Sequence, residues 1–238
     1  LHQIDDEWMA YRLEAMVNSR ATTQFQTESR QWIESRSHNK NEARRVVAKL
    51  EKKRKQYKAV VELLDVLERN KALRDDDVDL YIDTLYQLRE YDKLDTMLTR
   101  YRADIDRQRR AQYFESSEAE VYYKKSLDPL LSGSASDQSS AYLLLARYEI
   151  SYKNDIDEAT KDIRKAIDVS RATSTDSYIY ESAITMLFAL GHGDVAVTFA
   201  KEYVDASSRS LKSLRILAET YLKLGELALA SQSFDDYL

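Results

Sequence analysis

The chain has 238 residues with no Cys, 4 Gly and 1 Pro, and its formal net charge at pH 7 is −5. The lack of Cys excludes disulfides, thiol catalysis and thiolate metal sites, and so few Gly and Pro argue against a β-rich fold, which needs frequent turns. The negative charge argues against a surface built as a whole for nucleic acid or anionic membrane, although local basic patches are compatible with it.

Residues 1–40 are interpreted as an N-terminal helical segment. Apolar residues recur up to Ile33 at an imperfect helical spacing, which predicts one long helix or two shorter ones. No stretch approaches the roughly 20 apolar residues of a membrane span, and no secretion signal begins the chain. Because it begins with Leu1 rather than Met, we expect a fragment or mature form of a longer or anchored protein. Cytoplasm and periplasm are both compatible with this composition.

A 34-residue spacing organises the chain from residue 41 onward. Tyr57 recurs as Tyr91, and Gly191 recurs as Gly225, each with apolar neighbours that recur in the same register. A repeat of this length, made of two short helices, cannot bury its apolar face alone and must stack on its neighbours. The sequence therefore predicts an all-α fold, an α-solenoid of helix hairpins.

The array divides into two sets of repeats. Residues 41–131 form the first set, which is irregular from residue 103 and includes a helix that we expect Pro129 to end. Residues 132–140 are rich in Ser and predict a flexible loop or hinge. Residues 141–238 form the second set, and its last repeat lacks a polar helix over its outer face. We therefore expect either a truncated array or a docking surface at that end.

The repeats resemble the tetratricopeptide repeat (TPR) family over about residues 41–238. The match is best in the final repeat. The chain departs from the family in two ways: Pro129 is the single Pro near a junction between repeats, and the Trp that the family has early in the first helix is replaced. The resemblance implies a right-handed superhelix whose concave face, lined by the first helices, binds a peptide or a partner helix. The matching positions of the final repeat are Leu217, Ala218, Tyr221, Gly225, Ala230 and Phe234, and the replacements of the Trp are Leu143, Tyr180 and Leu214.

The resemblance also implies a binding groove in the C-terminal repeats. Flat aromatic rings there would hold an apolar or Pro-containing peptide, and Lys212 and Arg215 would bind a carboxylate. The alternative is that each Tyr fills the packing between repeats. The groove positions are Tyr148, Tyr152, Tyr178, Phe188, Lys212, Arg215 and Lys223.

A basic run from Arg44 to Lys58 holds eight Lys or Arg in fifteen residues. Such a helix can bind the phosphates of RNA or another anionic polymer by charge alone, here through Arg45, Lys49, Lys52 and Lys53. The alternative is a solvated helix face balanced by the next repeat, because residues 75–98 hold eight acidic and only two basic residues. A smaller basic cluster at residues 100–110 has the same two interpretations.

No motif in the chain indicates a reaction. The acidic run that starts at Asp75 has Leu80 and Tyr86 where a calcium loop needs Gly and Glu, and the three His lack paired spacing. We therefore predict no catalytic residues, no metal and no cofactor. The leading hypothesis is a non-catalytic scaffold or adaptor for a protein or peptide partner, for example in a bacterial envelope or secretion assembly. The alternatives are an RNA- or anionic-polymer-binding helical repeat and a regulatory subunit of an enzyme complex.

Overall fold

A computed structural model describes residues 2–37, 39–171, 174 and 176–235 of the chain. Within these ranges the structure has fourteen α-helices and no β-strand, which confirms the all-α prediction. The helices are α1 (His2–Asn18), α2 (Thr22–Gln31), α3 (Lys40–Lys53), α4 (Tyr57–Arg69), α5 (Asp75–Leu88), α6 (Tyr91–Tyr101), α7 (Arg107–Gln112), α8 (Glu120–Leu131), α9 (Ala135–Tyr148), α10 (Ile156–Arg171), α11 (Asp176–Ala189), α12 (Gly193–Ala206), α13 (Leu211–Lys223) and α14 (Leu227–Asp235). Two π-helical turns extend α2 and α9, at Trp32–Arg36 and Glu149–Lys153.

Consecutive helices pack as pairs, and the chain divides into two compact units. The N-terminal unit, Leu1–Ile105, contains the pairs α1 with α2, α3 with α4 and α5 with α6. The C-terminal unit, Asp106–Leu238, contains α7 with α8, α9 with α10, α11 with α12 and α13 with α14. Within the C-terminal unit each second helix also contacts the first helix of the next pair. Stacking of two-helix units of this kind lets each pair bury the apolar face of its neighbour.

The first two helices of the N-terminal unit cover α3. Of the two arrangements compatible with residues 1–40, the structure has the two shorter helices. Phe25 and Trp32 are buried together with Leu13 and Val47 in one cluster, and the Trp32 indole N–H donates a hydrogen bond to Asp6 at 2.7 Å. A buried indole N–H needs such an acceptor, so this bond ties the π-helical turn to α1.

Small residues let the paired helices of the C-terminal unit approach closely. Ala159, Ala196 and Ala230 are all buried, each on the second helix of its pair. Because a larger side chain there would force the two backbones apart, these positions set the spacing within each hairpin. The main cluster also buries Phe199 and Leu187.

The Ser-rich stretch 132–140 is mostly helical, which corrects the prediction of a flexible loop or hinge. Only residues 132–134 separate α8 from α9. The Ser134 hydroxyl accepts the Asp137 N–H at 3.2 Å, and the Asp137 carboxylate accepts the Ser134 N–H at 3.1 Å. Ser and Asp in these roles form a capping box, so the small polar residues mark a helix start. The two compact units divide elsewhere, between Ile105 and Asp106.

Pro129 lies inside α8, which corrects the prediction that it ends this helix. The helix continues to Leu131, and the Ser132 N–H donates to the Asp128 carbonyl at 3.0 Å to close its last turn. A Pro in a last turn costs less than one in a helix interior, because few hydrogen bonds follow it. Its own carbonyl accepts a bond from Arg107 at 3.2 Å.

Four of the turns within the hairpins share one backbone geometry. Gly191 and Gly225 have φ of +87° and +79°, and Lys55 and Arg89 occupy the corresponding turns of the N-terminal unit with φ of +59°. At Gly225 the N–H donates to the Leu222 carbonyl at 3.0 Å, in the Schellman pattern that commonly ends helices. Because side chains are disfavoured in this left-handed region, the Lys and Arg turns store strain that the Gly turns lack.

Replacing Lys55 with Gly is expected to raise the free energy of unfolding by roughly 0.5–1 kcal/mol, because Gly tolerates the positive φ. The reverse change, Gly225→Ala, is expected to lower the free energy of unfolding by a similar amount. An added Cβ meets no atom within 4 Å there, so the only cost is backbone strain. Urea unfolding followed by circular dichroism measures both. Lys58→Gly, within α4, is the matched control and is expected to destabilise by about 1 kcal/mol. Destabilisation of equal size by Lys55→Gly would contradict the strain argument.

Candidate functional site

The predicted groove residues all lie on first helices of the C-terminal unit. Tyr148 ends α9 and Tyr152 lies in its π-helical extension. Tyr178 and Phe188 lie on α11, and the basic residues Lys212, Arg215 and Lys223 lie on α13. The sequence therefore places these residues on equivalent helices, but their environments differ sharply.

Tyr148 is a packing residue, which corrects its assignment to a binding groove. It is only 1% exposed, and its ring stacks on Tyr123 with centroids 4.4 Å apart. Its hydroxyl donates to the Ser116 carbonyl at 2.7 Å. Burial raises the pKa of Tyr148 to about 12. A ligand therefore cannot reach this ring without unpacking α8 from α9.

Tyr152 stands at the edge of this stack, on the π-helical turn. It is partly exposed, and its ring centroid lies 5.1 Å from that of Tyr148. Beneath the turn, the buried carboxylate of Glu149 lies 3.2 Å from the Lys153 ammonium and 3.8 Å from that of Lys124. Glu120 accepts hydrogen bonds from both Lys side chains, which lowers the pKa of its carboxyl. This charged cluster holds the turn that presents Tyr152.

Tyr178 is the most exposed aromatic residue of the predicted groove. Its side chain is 68% exposed and borders an open depression of about 550 Å³ on the face of α11. Met186 and Leu190 line the depression together with Arg147 of α9. Arg147 itself is ion-paired with Glu115. The arrangement offers an accessible ring beside apolar lining residues, which suits an apolar or aromatic side chain of a partner.

The predicted cations are mostly engaged by neighbouring groups. Lys212 forms an ion pair with Glu181, and this hydrogen bond raises the pKa of the Lys212 ammonium. The Lys223 ammonium lies 5.6 Å from the Phe188 ring centroid, in a cation–π arrangement. Arg215 lies 3.7 Å from Glu219, and both side chains are about half exposed, so this pair is weak. Arg215 and Lys223 are thus the groove cations most readily offered to a carboxylate.

The basic run of α3 does not form one exposed patch. Arg45 is buried and donates to Asp77 at 2.7 Å and to Glu42 at 3.0 Å, which corrects its assignment to a phosphate-binding surface. Lys52 forms an ion pair with Asp83, and Lys53 forms one with Glu14, while Lys49 is exposed. Asp77 and Asp83 of the next repeat therefore neutralise two of these cations, as the alternative interpretation expected, whereas the partner of Lys53 lies on α1.

Much of the smaller basic cluster at residues 100–110 is also paired. Arg100 lies 2.6 Å from Glu68, and Arg102 lies 2.8 Å from Asp79. These bonds link α6 to the helices that precede it in the N-terminal unit. The positive charge of these two side chains is therefore already balanced.

Sequence reasoning missed the contributions of Arg147, Glu181 and Met186 to the candidate surface. The helical spacing from Tyr178 through Glu181 and Thr185 is the signal that could have grouped the α11 residues. Arg147 follows no such pattern, because α9 brings it to the depression only through packing against α11. Tertiary contacts are therefore needed to define this surface.

Two features of the described residues bear on other functions. No group of three or more His, Asp or Glu side chains there could hold a metal ion. No helix in the same part of the chain is long and apolar enough to cross a membrane. The chain matches no model of a known protein family and none of the curated proteins with which it was compared. The functional argument therefore depends on the fold class and the exposed surface.

Proposed function

We propose that the protein is a non-catalytic scaffold or adaptor, built as a solenoid of TPR-like helix pairs. The packing of consecutive helices into pairs and the 34-residue register of the Lys55, Arg89, Gly191 and Gly225 turns support the repeat assignment. In such arrays the first helices line the surface that binds a peptide or partner helix. The first helices of the C-terminal unit, α9, α11 and α13, are therefore the proposed binding surface.

The observation that carries this proposal is the exposure of Tyr178 beside an apolar depression. An aromatic ring that is held on a rigid helix loses little conformational entropy on binding, and Tyr is enriched among residues that dominate interfaces. Met186 lines the depression, and its flexible thioether adapts to different apolar groups. The ligand chemistry that fits best is an apolar or aromatic segment, and Arg215 on α13 offers a positive charge for an acidic group.

Binding of RNA or another anionic polymer is the less favoured function. It requires unpaired basic side chains, since affinity comes from the release of counterions by phosphate contacts. Arg45, Lys52 and Arg102 instead have carboxylate partners within the N-terminal unit. Lys49 alone among the four predicted patch residues is exposed without a carboxylate partner in the described chain.

Replacing Tyr178 with Ala is expected to weaken capture of the native partner by roughly 30-fold, because a central aromatic anchor is worth about 2 kcal/mol or more. Immobilised wild-type chain and variant are compared in a pull-down from the native cells, washed at low and at high salt. The control is Val121→Ala, which alters an equally exposed apolar residue on α8.

A protein that survives the high-salt wash on the wild type and on Val121→Ala, but not on Tyr178→Ala, would support the proposal. Equal retention by all three chains would contradict the assigned surface. Nucleic acid that leaves at high salt, and whose binding falls in Lys49→Glu, would favour the polymer-binding function instead.

A further inference from the structure

A groove lies between the first two helix pairs of the N-terminal unit. Two adjoining depressions of about 560 and 320 Å³ form it, and both are lined by Ser29, Glu51 and Glu62. The lining comes from α2 and its π-helical turn, from α3 and from α4, and α3 packs against both the turn and α4. The groove is therefore built by helices that lie inside the N-terminal unit.

The π-helical turn at Trp32–Arg36 shapes one border of the groove. Trp32 is buried and its indole N–H bonds to Asp6 of α1, while the next two residues, Ile33 and Glu34, line the groove. Turns of π-helix are rare and recur at functional sites. This border therefore has a local geometry that is typical of binding sites.

Part of the groove lining is apolar. Val47 of α3 is buried, whereas Ile33, Leu63 and Val66 are only half-buried by their neighbours. Aliphatic side chains from three elements of the fold therefore meet at one partly open surface. Covering such a surface with an apolar group of a ligand is favourable, because it removes apolar area from water.

Glu51 brings a buried negative charge to the groove. The residue is 7% exposed, and its Oε2 atom accepts a hydrogen bond from Arg54 at 2.7 Å. Its Oε1 atom has no hydrogen-bond partner within the described part of the chain. Burial raises the pKa of the Glu51 carboxyl by more than the nearby Arg54 lowers it. A second cation would therefore stabilise the charged form of this carboxyl.

Two more carboxylates make the groove acidic. Glu62 of α4 is exposed and forms no ion pair with any residue that the structure describes. Glu34 lies 3.6 Å from Arg30, but both side chains are mostly exposed, so this pair is weak. Three Glu and one Arg thus line the groove.

A Lys or Arg side chain matches both the acidic and the apolar lining. Its charged end can donate hydrogen bonds to the carboxylates, while its aliphatic stem covers apolar surface. An aliphatic or aromatic neighbour on the same segment would cover Leu63 and Val66. Nucleic acid and anionic lipid are disfavoured, because their phosphates would meet carboxylates.

We propose that this acidic groove binds a segment of a partner protein in which a Lys or Arg stands beside an aliphatic or aromatic residue. The groove belongs to the N-terminal unit, whereas Tyr178 belongs to the C-terminal unit. The chain would accordingly bind two segments of different chemistry. The inference does not rest on the Tyr178 surface.

Selection from a random peptide library displayed on phage tests the ligand chemistry. The library is first depleted on the charge-reversed chain, Glu34→Arg with Glu62→Arg, which retains every surface except the acidic groove. Both residues are exposed, so the reversed chain is expected to fold, and circular dichroism checks this. Peptides that then bind the wild type are expected to share a Lys or Arg beside an apolar residue.

Isothermal titration calorimetry with one selected peptide tests the site. Glu34→Gln with Glu62→Gln is expected to weaken binding at least about tenfold, because charge-assisted hydrogen bonds are lost. The matched control, Glu90→Gln with Glu226→Gln, removes two exposed carboxylates outside the groove and should leave the affinity unchanged. Replacing the basic residue of the peptide with Gln should abolish the difference between wild type and groove variant.

Four results would overturn the proposal. The first is that no peptide, or only peptides without a basic residue, bind the wild type after depletion. The second is equal weakening by the groove variant and its control, which would indicate an effect of net charge. Displacement of the peptide by spermine at equal concentration would indicate a general cation site. Self-association of the wild type that the charge-reversed chain loses would assign the groove to a second copy.

Discussion

Replacing Arg45 with Ala is expected to lower the stability of the N-terminal unit by about 3–5 kcal/mol, because it leaves the buried Asp77 carboxylate without its charged partner. Both side chains are almost fully buried, and their closest atoms are 2.7 Å apart. Asp77 also accepts the Arg74 N–H at 2.9 Å at the start of α5. One ion pair therefore joins α3 to the beginning of the next hairpin.

Native-state hydrogen exchange of the α3 and α5 amides measures this loss within the N-terminal unit. Lys52→Ala is the matched control, since Lys52 pairs with Asp83 between the same two helices but both side chains are about half exposed. An exposed pair is worth at most about 1 kcal/mol, so the control should change exchange little. Equal effects of the two substitutions would contradict the distinction that burial makes between them.

Replacing Tyr148 with Ala is expected to destabilise the C-terminal unit by about 3–5 kcal/mol, as removal of a fully buried ring usually does. The substitution deletes the stack on Tyr123 and the hydrogen bond to the Ser116 carbonyl, which together join α9 to α8 and the segment before it. Tyr148→Phe retains the ring and should cost about 1 kcal/mol for the lost bond. Urea unfolding with near-ultraviolet circular dichroism measures both.

Tyr152→Ala is the control for this prediction, because Tyr152 is partly exposed at the edge of the same stack. It should destabilise far less than Tyr148→Ala. If Tyr148→Ala instead unfolded no more easily than Tyr152→Ala, Tyr148 would not be a packing residue, and its place in a ligand groove would have to be reconsidered.

Burial of Tyr148 also predicts that the stability of the protein falls with rising pH in the alkaline range. The pKa of Tyr148 is about 12 in the folded chain and about 10 in an unfolded one, so the folded state favours the neutral phenol. The contribution of the neutral Tyr148 phenol to the free energy of unfolding is fully present below about pH 10 and is lost as the pH rises from about 10 to about 12. Tyr148→Phe should show a smaller fall in stability over that window, measured by unfolding at a series of pH values. An unchanged slope would contradict burial of the hydroxyl.

The candidate site could be predicted only in part from sequence. Helical spacing placed Tyr148, Tyr178 and Arg215 on equivalent first helices, because that position follows from the repeat register. Their exposure could not be predicted, because it depends on what packs against each side chain. Tyr148 meets Tyr123 from α8, whereas Tyr178 borders an open depression. The same limit applies to Arg45 and Lys49, neighbours in one basic run of which one is buried and one exposed.

The sequence by itself determined the helical class and the left-handed turns at Gly191 and Gly225, because helix periodicity and positive φ are consequences of a few adjacent residues. The Ser134 capping box is equally local, although small polar residues of this kind also predict a loop. Tertiary structure alone decided which charges are neutralised and which apolar faces stay open. Arg45 and Asp77 are 32 residues apart, and the Tyr178 depression forms where α9 packs against α11. Such properties depend on contacts between distant segments, and no local pattern encodes them.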